Sequence, residues 1–276
     1  MNPIHSAPQE LLAGLAAGDC VLVTVVASQG SVPREAGAWM GVFADHFVGT
    51  IGGGQLELQA IEESRRRLAG AAGEAVRRYP LGPSLGQCCG GVVHLQFERV
   101  GAAAASGLAQ RLAPQRLPVA LFGGGHVGRA LVTALAPLPF ALRWIDSRDE
   151  IFPQPLPAHV ECEHSDPVQG AVADLAPGSH VLIMSFSHAE DLDVVAACLH
   201  RQRVSHDLPF IGLIGSKTKW ATFRHRLEER GFGRAELAQV TCPIGLPGIR
   251  GKQPEVIAAS VAAQLLQLRA WESPEK

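Results

Sequence analysis

LPVALFGGGHVGRALVTALAPLPFALRWID (117–146) decides the fold. LPVALF (117–122) is a short apolar run and predicts a buried strand. Gly123-x-Gly125-x-x-Gly128 opens GGGHVGRALVTALA (123–136), a turn followed by a helix, and FALRWID (140–146) is the next strand. The glycines have separate tasks: Gly123 permits the tight turn, Gly125 lets a pyrophosphate approach the backbone, and Gly128 lets helix and strand pack closely. The helix start at His126 offers amide N–H groups and partial positive charge to an anion. Asp146, at the end of the second strand, stands where a ribose hydroxyl is accepted in such units. A Rossmann-type unit follows from this context. A bound nucleotide and an empty scaffold both stay open, because a fold does not fix its ligand.

The pattern continues outward. HVEC (159–162), HVLIMSF (180–186) and PFIGLIG (209–215) are further apolar strands, with helix-like stretches between most of them. Strands alternating with helical crossovers predict a parallel sheet with helices on both faces. QPEVIAASVAAQLLQLRAW (253–271) closes the chain as an amphipathic helix, with Pro254 near its first turn.

Upstream the pattern changes. PQELLAGLAA (8–17) reads as a short helix, CVLVTVVAS (20–28) as a buried strand, and AWMGVFA (38–44) with FVGT (47–50) as a hairpin. A helix is expected from Leu56 to about Ala72, then strands at 74–79 and 92–100 and a helix over 101–115. The fold class is therefore α/β: a mixed α/β N-terminal domain (1–112) and a C-terminal Rossmann-like domain (113–276), with the boundary near 100–116.

Composition narrows the function. Among 276 residues, 47% are apolar and 18% charged, which supports a packed core rather than disorder. A net charge of -2 and a single Tyr argue against nucleic acid and against an anionic membrane surface as partners. MNPIHSAPQE lacks the basic start and apolar stretch of a signal peptide. The six Cys (20, 88, 89, 162, 198, 242) have no C-x-x-C spacing, so neither a zinc finger nor a disulfide framework is expected, and the reading is cytoplasmic.

Several other clusters carry chemistry. Gly52-Gly53-Gly54-Gln55 lies between a strand and a helix and can hold an anion, or simply turn the chain. Cys88-Cys89 sits in a Gly-dense loop; paired thiols suit a thiophilic metal or a sulfur-bearing ligand, or are two small buried side chains. Ser216-Lys217-Thr218-Lys219, after the strand PFIGLIG, can offer charge to a phosphate or cap a helix. Ser187-His188 with Glu190, Asp191 and Asp193 can hold a metal or an acid/base pair, but an N-cap with acids in the first turn explains them more simply. His159, Glu161 and Glu163 alternate as the wet side of a strand. Arg34-Glu35 is either a loop ion pair or a substrate-facing Arg, and Cys242 reads as structural. No catalytic residue or metal site is assigned, and no G-x-S-x-G elbow is present.

Taken together, SVPREAGAWMGV (31–42), GTIGGGQLE (49–57), LGQCCGGVVHLQFE (85–98), LFGGGHVGRAL (121–131), WIDSR (144–148), IGLIGSKTK (211–219) and CPIGL…GK..P (242–254) closely resemble the XdhC/CoxI family. The resemblance implies an XdhC/CoxI domain followed by a Rossmann domain. It implies an accessory protein of xanthine dehydrogenase, usually a homodimer and not an enzyme. Such a protein binds the molybdenum cofactor (molybdopterin) and shields it while its sulfido ligand is installed. It then passes the cofactor to the apo xanthine dehydrogenase-type enzyme. It implies cofactor contacts at Gly52, Gly53, Gly54, Gln55, Cys88, Cys89, Gly123, Gly125, His126 and Gly128; Asp146, Ser216 and Lys217 join them as expected contacts from their own sequence context, and the Rossmann domain could take a nucleotide or nothing. GIRGKQP (248–254) departs from the more Gly-rich, Thr-containing family form. The rival readings are an NAD(P)-dependent oxidoreductase, supported by the fingerprint and Asp146, and a docking scaffold for the client or a cysteine desulfurase.

Overall fold

A computed structural model describes residues 7–81, 90–113, 116–157 and 159–268. The chain divides into two compact units, Met1–Ala113 and Pro114–Lys276.

In the first unit α1 (Ala7–Leu15) leads into β1 (Cys20–Gln29), the hairpin β2 (Trp39–Val42) and β3 (Phe47–Gly49), and α2 (Gly54–Leu68). β4 (Val76–Pro80), β5 (Val92–Val100) and α3 (Ala105–Arg111) follow. The five strands stand in the order β3-β2-β1-β5-β4, and every pairing is antiparallel. Strand periodicity sorts β1 onto two cores. Val21, Val23 and Val25 pack with Leu56, Ala60 and Ile61 of α2, while Cys20 and Leu22 pack with Leu11 and Leu15 of α1 and Leu108 of α3. The helix expected over 101–115 is split. Gly101 offers no side-chain cap, and Ala104 N–H bonds back to the Gly101 carbonyl, so the first turn is a tighter 3-10 turn.

The second unit carries β6 (Leu117–Phe122), α4 (His126–Leu135), β7 (Phe140–Asp146), β8 (Val160–His164), β9 (His180–Ile183) and α5 (His188–Ser205). It continues through β10 (Phe210–Leu213), α6 (Lys217–Glu229), α7 (Arg234–Leu237), β11 (Val240–Thr241) and α8 (Pro254–Leu268). The sheet order is β11-β10-β9-β6-β7-β8, wholly parallel. β6 lies at the centre. The chain runs outward through β7 and β8, returns to β9 beside β6, and runs outward again to β11. That reversal between β6 and β9 is the switch point at which doubly wound sheets open a crevice. Leu131, Val132 and Leu135 of α4 and Ala258, Val261 and Leu265 of α8 share one core with Leu121 and Leu182. Leu192, Val195 and Leu199 of α5 and Phe223 and Leu227 of α6 share the other with Ala120, Ile145 and Val181. The α/β class, with its parallel sheet covered on both faces, is as the sequence predicts. No helix among the described residues is long and apolar enough to cross a membrane.

Candidate functional site

Each unit builds a glycine-rich turn at the start of a helix, and each turn is held differently.

In the first unit Gly52, Gly53 and Gly54 have φ of 125°, 78° and 65°, left-handed backbone that side chains rarely adopt. A Cβ on Gly52 would lie 2.6 Å from Pro33 Cγ, so this glycine exists to let loop 31–35 pack on the turn. A Cβ on Gly91 would lie 2.4 Å from the Ser31 carbonyl oxygen, so the same loop also needs Gly91. Three segments thus meet: Ser31–Arg34, Gly52–Gly54 and Gly90-Gly91. Gly53 faces open space. Arg34 and Glu35 are exposed, and their side chains make no ion pair or hydrogen bond among the described residues, so the loop ion pair does not form. Cys88 and Cys89 lie outside the described residues.

The anion expected at this turn is present, and it belongs to the chain. Glu57 folds back over the helix start, and its Oε2 accepts from Thr50 Oγ1 (2.6 Å), Gly53 N–H (3.0 Å) and Ile51 N–H (3.2 Å). A carboxylate satisfies amides at a helix N-terminus and is favoured there by the helix dipole. An exogenous anion on those two amides would have to displace Glu57. Gly52 N–H donates to Thr50 Oγ1, and Gln55 is exposed on the first turn of α2.

In the second unit Gly123 and Gly128 sit where a side chain would clash with backbone. A Cβ on Gly123 (φ 125°) would lie 2.0 Å from the Met184 carbonyl oxygen, and one on Gly128 would lie 2.0 Å from the Gly123 carbonyl oxygen. Gly125, by contrast, has nothing within 4 Å of its Cβ position. Gly125 and the neighbouring His126 are exposed at the start of α4, so an anion can reach these amides.

Asp146 departs from its expected role. The side chain is only 1% exposed. Its Oδ2 accepts from Gly124 N–H (2.5 Å) and Arg148 Nη2 (2.9 Å), and its Oδ1 from Arg148 N–H (2.9 Å) and Nε (2.8 Å). Two bonds at each oxygen fill the carboxylate, so no lone pair is left for a ribose hydroxyl. Burial alone would push its pKa up, but the bonds from Arg148 and Gly124 together hold it below the ordinary range. Ile151 adds to the closure, lying 2.7 Å from where a Gly124 Cβ would stand, and Arg129 holds the Ile151 carbonyl at 2.9 Å.

Beside Gly125 the crevice is a cavity of about 360 Å³ lined by His126, Ser185, Ser187, His188 and Lys219. Its wall is fixed by a buried ion pair that sequence reasoning missed. Lys219 Nζ lies 2.6 Å from Asp191 Oδ2 and 2.9 Å from the Ile214 carbonyl, while Asp191 Oδ1 accepts from Ser185 N–H (2.7 Å). The 28-residue separation left no local signal for it. Ser187 and Ser216 are N-caps, accepting from the N–H of Glu190 and Lys219. Glu190 turns to Ser147 and Asp193 to Arg230, so the acids after His188 do not converge. His159 bonds to the Ala136 carbonyl and Glu163 to Arg143, as strand-edge residues do. Lys217 lines a different cavity from Gly125. Cys242 is half-buried, and burial pushes its thiol pKa up.

The XdhC and CoxI family matches residues 15–80, and the XdhC Rossmann domain matches residues 119–265. The protein YqeB of Escherichia coli (strain K12) is 30% identical over 258 residues, covering 90% of this chain and 43% of the relative, so the chain spans less than half of that protein. A crystal structure described as a xanthine dehydrogenase from Bacillus halodurans aligns with a TM-score of 0.77 at 21% identity, covering 99% of this chain and 98% of the other. At that identity the likeness is one of fold.

Proposed function

The chain belongs to the XdhC and CoxI family, and from that premise we propose that it is an accessory protein, not a catalyst. In this reading it holds the molybdenum cofactor and hands it to a xanthine dehydrogenase-type apo-enzyme. The observation that carries the reading is the open helix start at Gly125 and His126, beside a walled cavity. Such a start suits the anionic end of a phosphate-bearing pterin. The Gly52–Gly54 turn, with loop 31–35 and Gly90-Gly91 against it, supplies a second surface where a ligand can approach backbone. The hydride-transfer alternative loses support, because Arg148 and Gly124 already fill the Asp146 carboxylate.

Native mass spectrometry of the protein, purified from a host replete in molybdenum and sulfur, tests the reading. A bound mass equal to molybdopterin, with its subunit count, is the expected result. Retention should fall in the Cys88→Ala/Cys89→Ala variant. A ligand-free spectrum under these conditions overturns the reading, and unchanged retention in the double variant removes both thiols from the site.

A further inference from the structure

We propose that the second unit carries a further ligand site, separate from the crevice at Gly125: a cavity under loop 243–252 that takes a phosphate monoester with an apolar body. The inference rests on this cavity and does not depend on cofactor delivery. The space is about 640 Å³, larger than the crevice and within the range of small-molecule sites. Its apolar lining includes Ile214, Ile244, Leu246 and Ile257, and its cations are Lys217 and Lys252.

The charges are one-sided. No Asp or Glu lines the cavity, and none occurs in 241–254. Glu255, in the first turn of α8, is not among the lining residues. Neither the Lys217 nor the Lys252 side chain makes an ion pair or a hydrogen bond with any described residue, whereas nearby Lys219 is neutralised by Asp191. Two ammonium groups on one cavity, with no carboxylate among them, favour an anion of more than one charge. A phosphate monoester supplies that charge, and the isoleucines favour an organic body over a bare ion.

The loop is also built to keep its shape. Gly245 N–H donates to Gln264 Oε1 (2.7 Å) and Leu246 N–H to Ser260 Oγ (2.8 Å), which ties the loop to α8. Gly245 has φ 97°, and a Cβ there would lie 2.6 Å from Ser260 Oγ. These bonds satisfy the Gly245 and Leu246 amides internally, and the lysine heads are the charged groups a ligand would meet.

The test is calorimetric titration of the full chain with flavin mononucleotide, adenosine 5′-monophosphate, riboflavin and inorganic phosphate. At least one of the two monoesters is expected to bind at least tenfold more tightly than phosphate, and flavin mononucleotide at least tenfold more tightly than riboflavin. The pattern between the two monoesters distinguishes a broad ring system from a purine. The Lys217→Glu/Lys252→Glu variant changes two exposed side chains, so its fold is checked by thermal melting. It should lose at least tenfold in monoester affinity. Binding by neither monoester overturns the proposal. So does measurable binding of riboflavin as tight as that of flavin mononucleotide, or affinity unchanged by the double substitution.

Discussion

Arg148 closes both oxygens of Asp146: its Nε lies 2.8 Å from Oδ1 and its Nη2 2.9 Å from Oδ2. The other face of the guanidinium problem is Phe186, whose exposed ring lies 4.5 Å from the Arg148 Cζ. Arg148→Ala would leave a buried carboxylate with only the Gly124 amide and its own neighbour's N–H as donors. Because Arg148 is itself one third exposed, the cost is expected at about 1–3 kcal/mol, below that of breaking a fully buried pair. The folded pKa of Asp146 is depressed, so its contribution is present above the unfolded pKa and lost as pH falls through the folded one. In Arg148→Ala that loss should begin at higher pH. Urea midpoints from pH 3 to 7 measure it, and an unchanged acid limb would contradict it. The variant should also gain NAD affinity relative to the native chain.

Gly125 and Gly128 should respond oppositely to the same methyl group. Gly128→Ala drives Cβ onto the Gly123 carbonyl and should cost about 3 kcal/mol or more, or prevent folding. Gly125→Ala has φ −70° and open space, so it should cost only about 0.5–1 kcal/mol, as Ala replaces Gly at an N-cap. It should nonetheless weaken cofactor retention, because the methyl group occupies the approach to the α4 amides. Chemical denaturation and mass spectrometry on the two variants separate stability from binding.

Removing Glu57 should both loosen the α2 start and open it to solution anions. Glu57→Ala leaves Thr50 Oγ1 and the amides of Ile51 and Gly53 without their acceptor. A loss of about 1–2 kcal/mol is expected from the charge-assisted bonds. Added sulfate should recover part of the thermal stability in the variant and none in the native protein.

His180 sets a pH slope near neutrality. It is buried, its Nδ1 has no hydrogen-bond partner among the described residues, and burial pushes its pKa down. The unfolded chain then takes up a proton that the folded chain refuses, so stability falls as pH drops below about 6.5, the ordinary histidine value. His180→Phe, with Phe210 already beside the ring, should flatten the slope of melting temperature between pH 7.5 and 5. An unchanged slope would assign it to other groups.

The sequence by itself determined the doubly wound second unit and the geometry of its turn. Strand periodicity, helix periodicity and the glycine spacing at 123, 125 and 128 are local properties, complete within some thirty residues. The same local logic read Ser187 as a cap and the 159–163 alternation as the wet side of a strand. Only the tertiary structure decided which charged groups are free. Asp146 is filled by Arg148 and Gly124, Glu57 occupies the anion seat beside Gly53, Lys219 is paired with Asp191, and Lys217 lines another cavity. A side chain's backbone conformation follows from its neighbours in sequence. Its unused lone pairs and protons depend on which distant groups folding buries against it, and no periodicity encodes that.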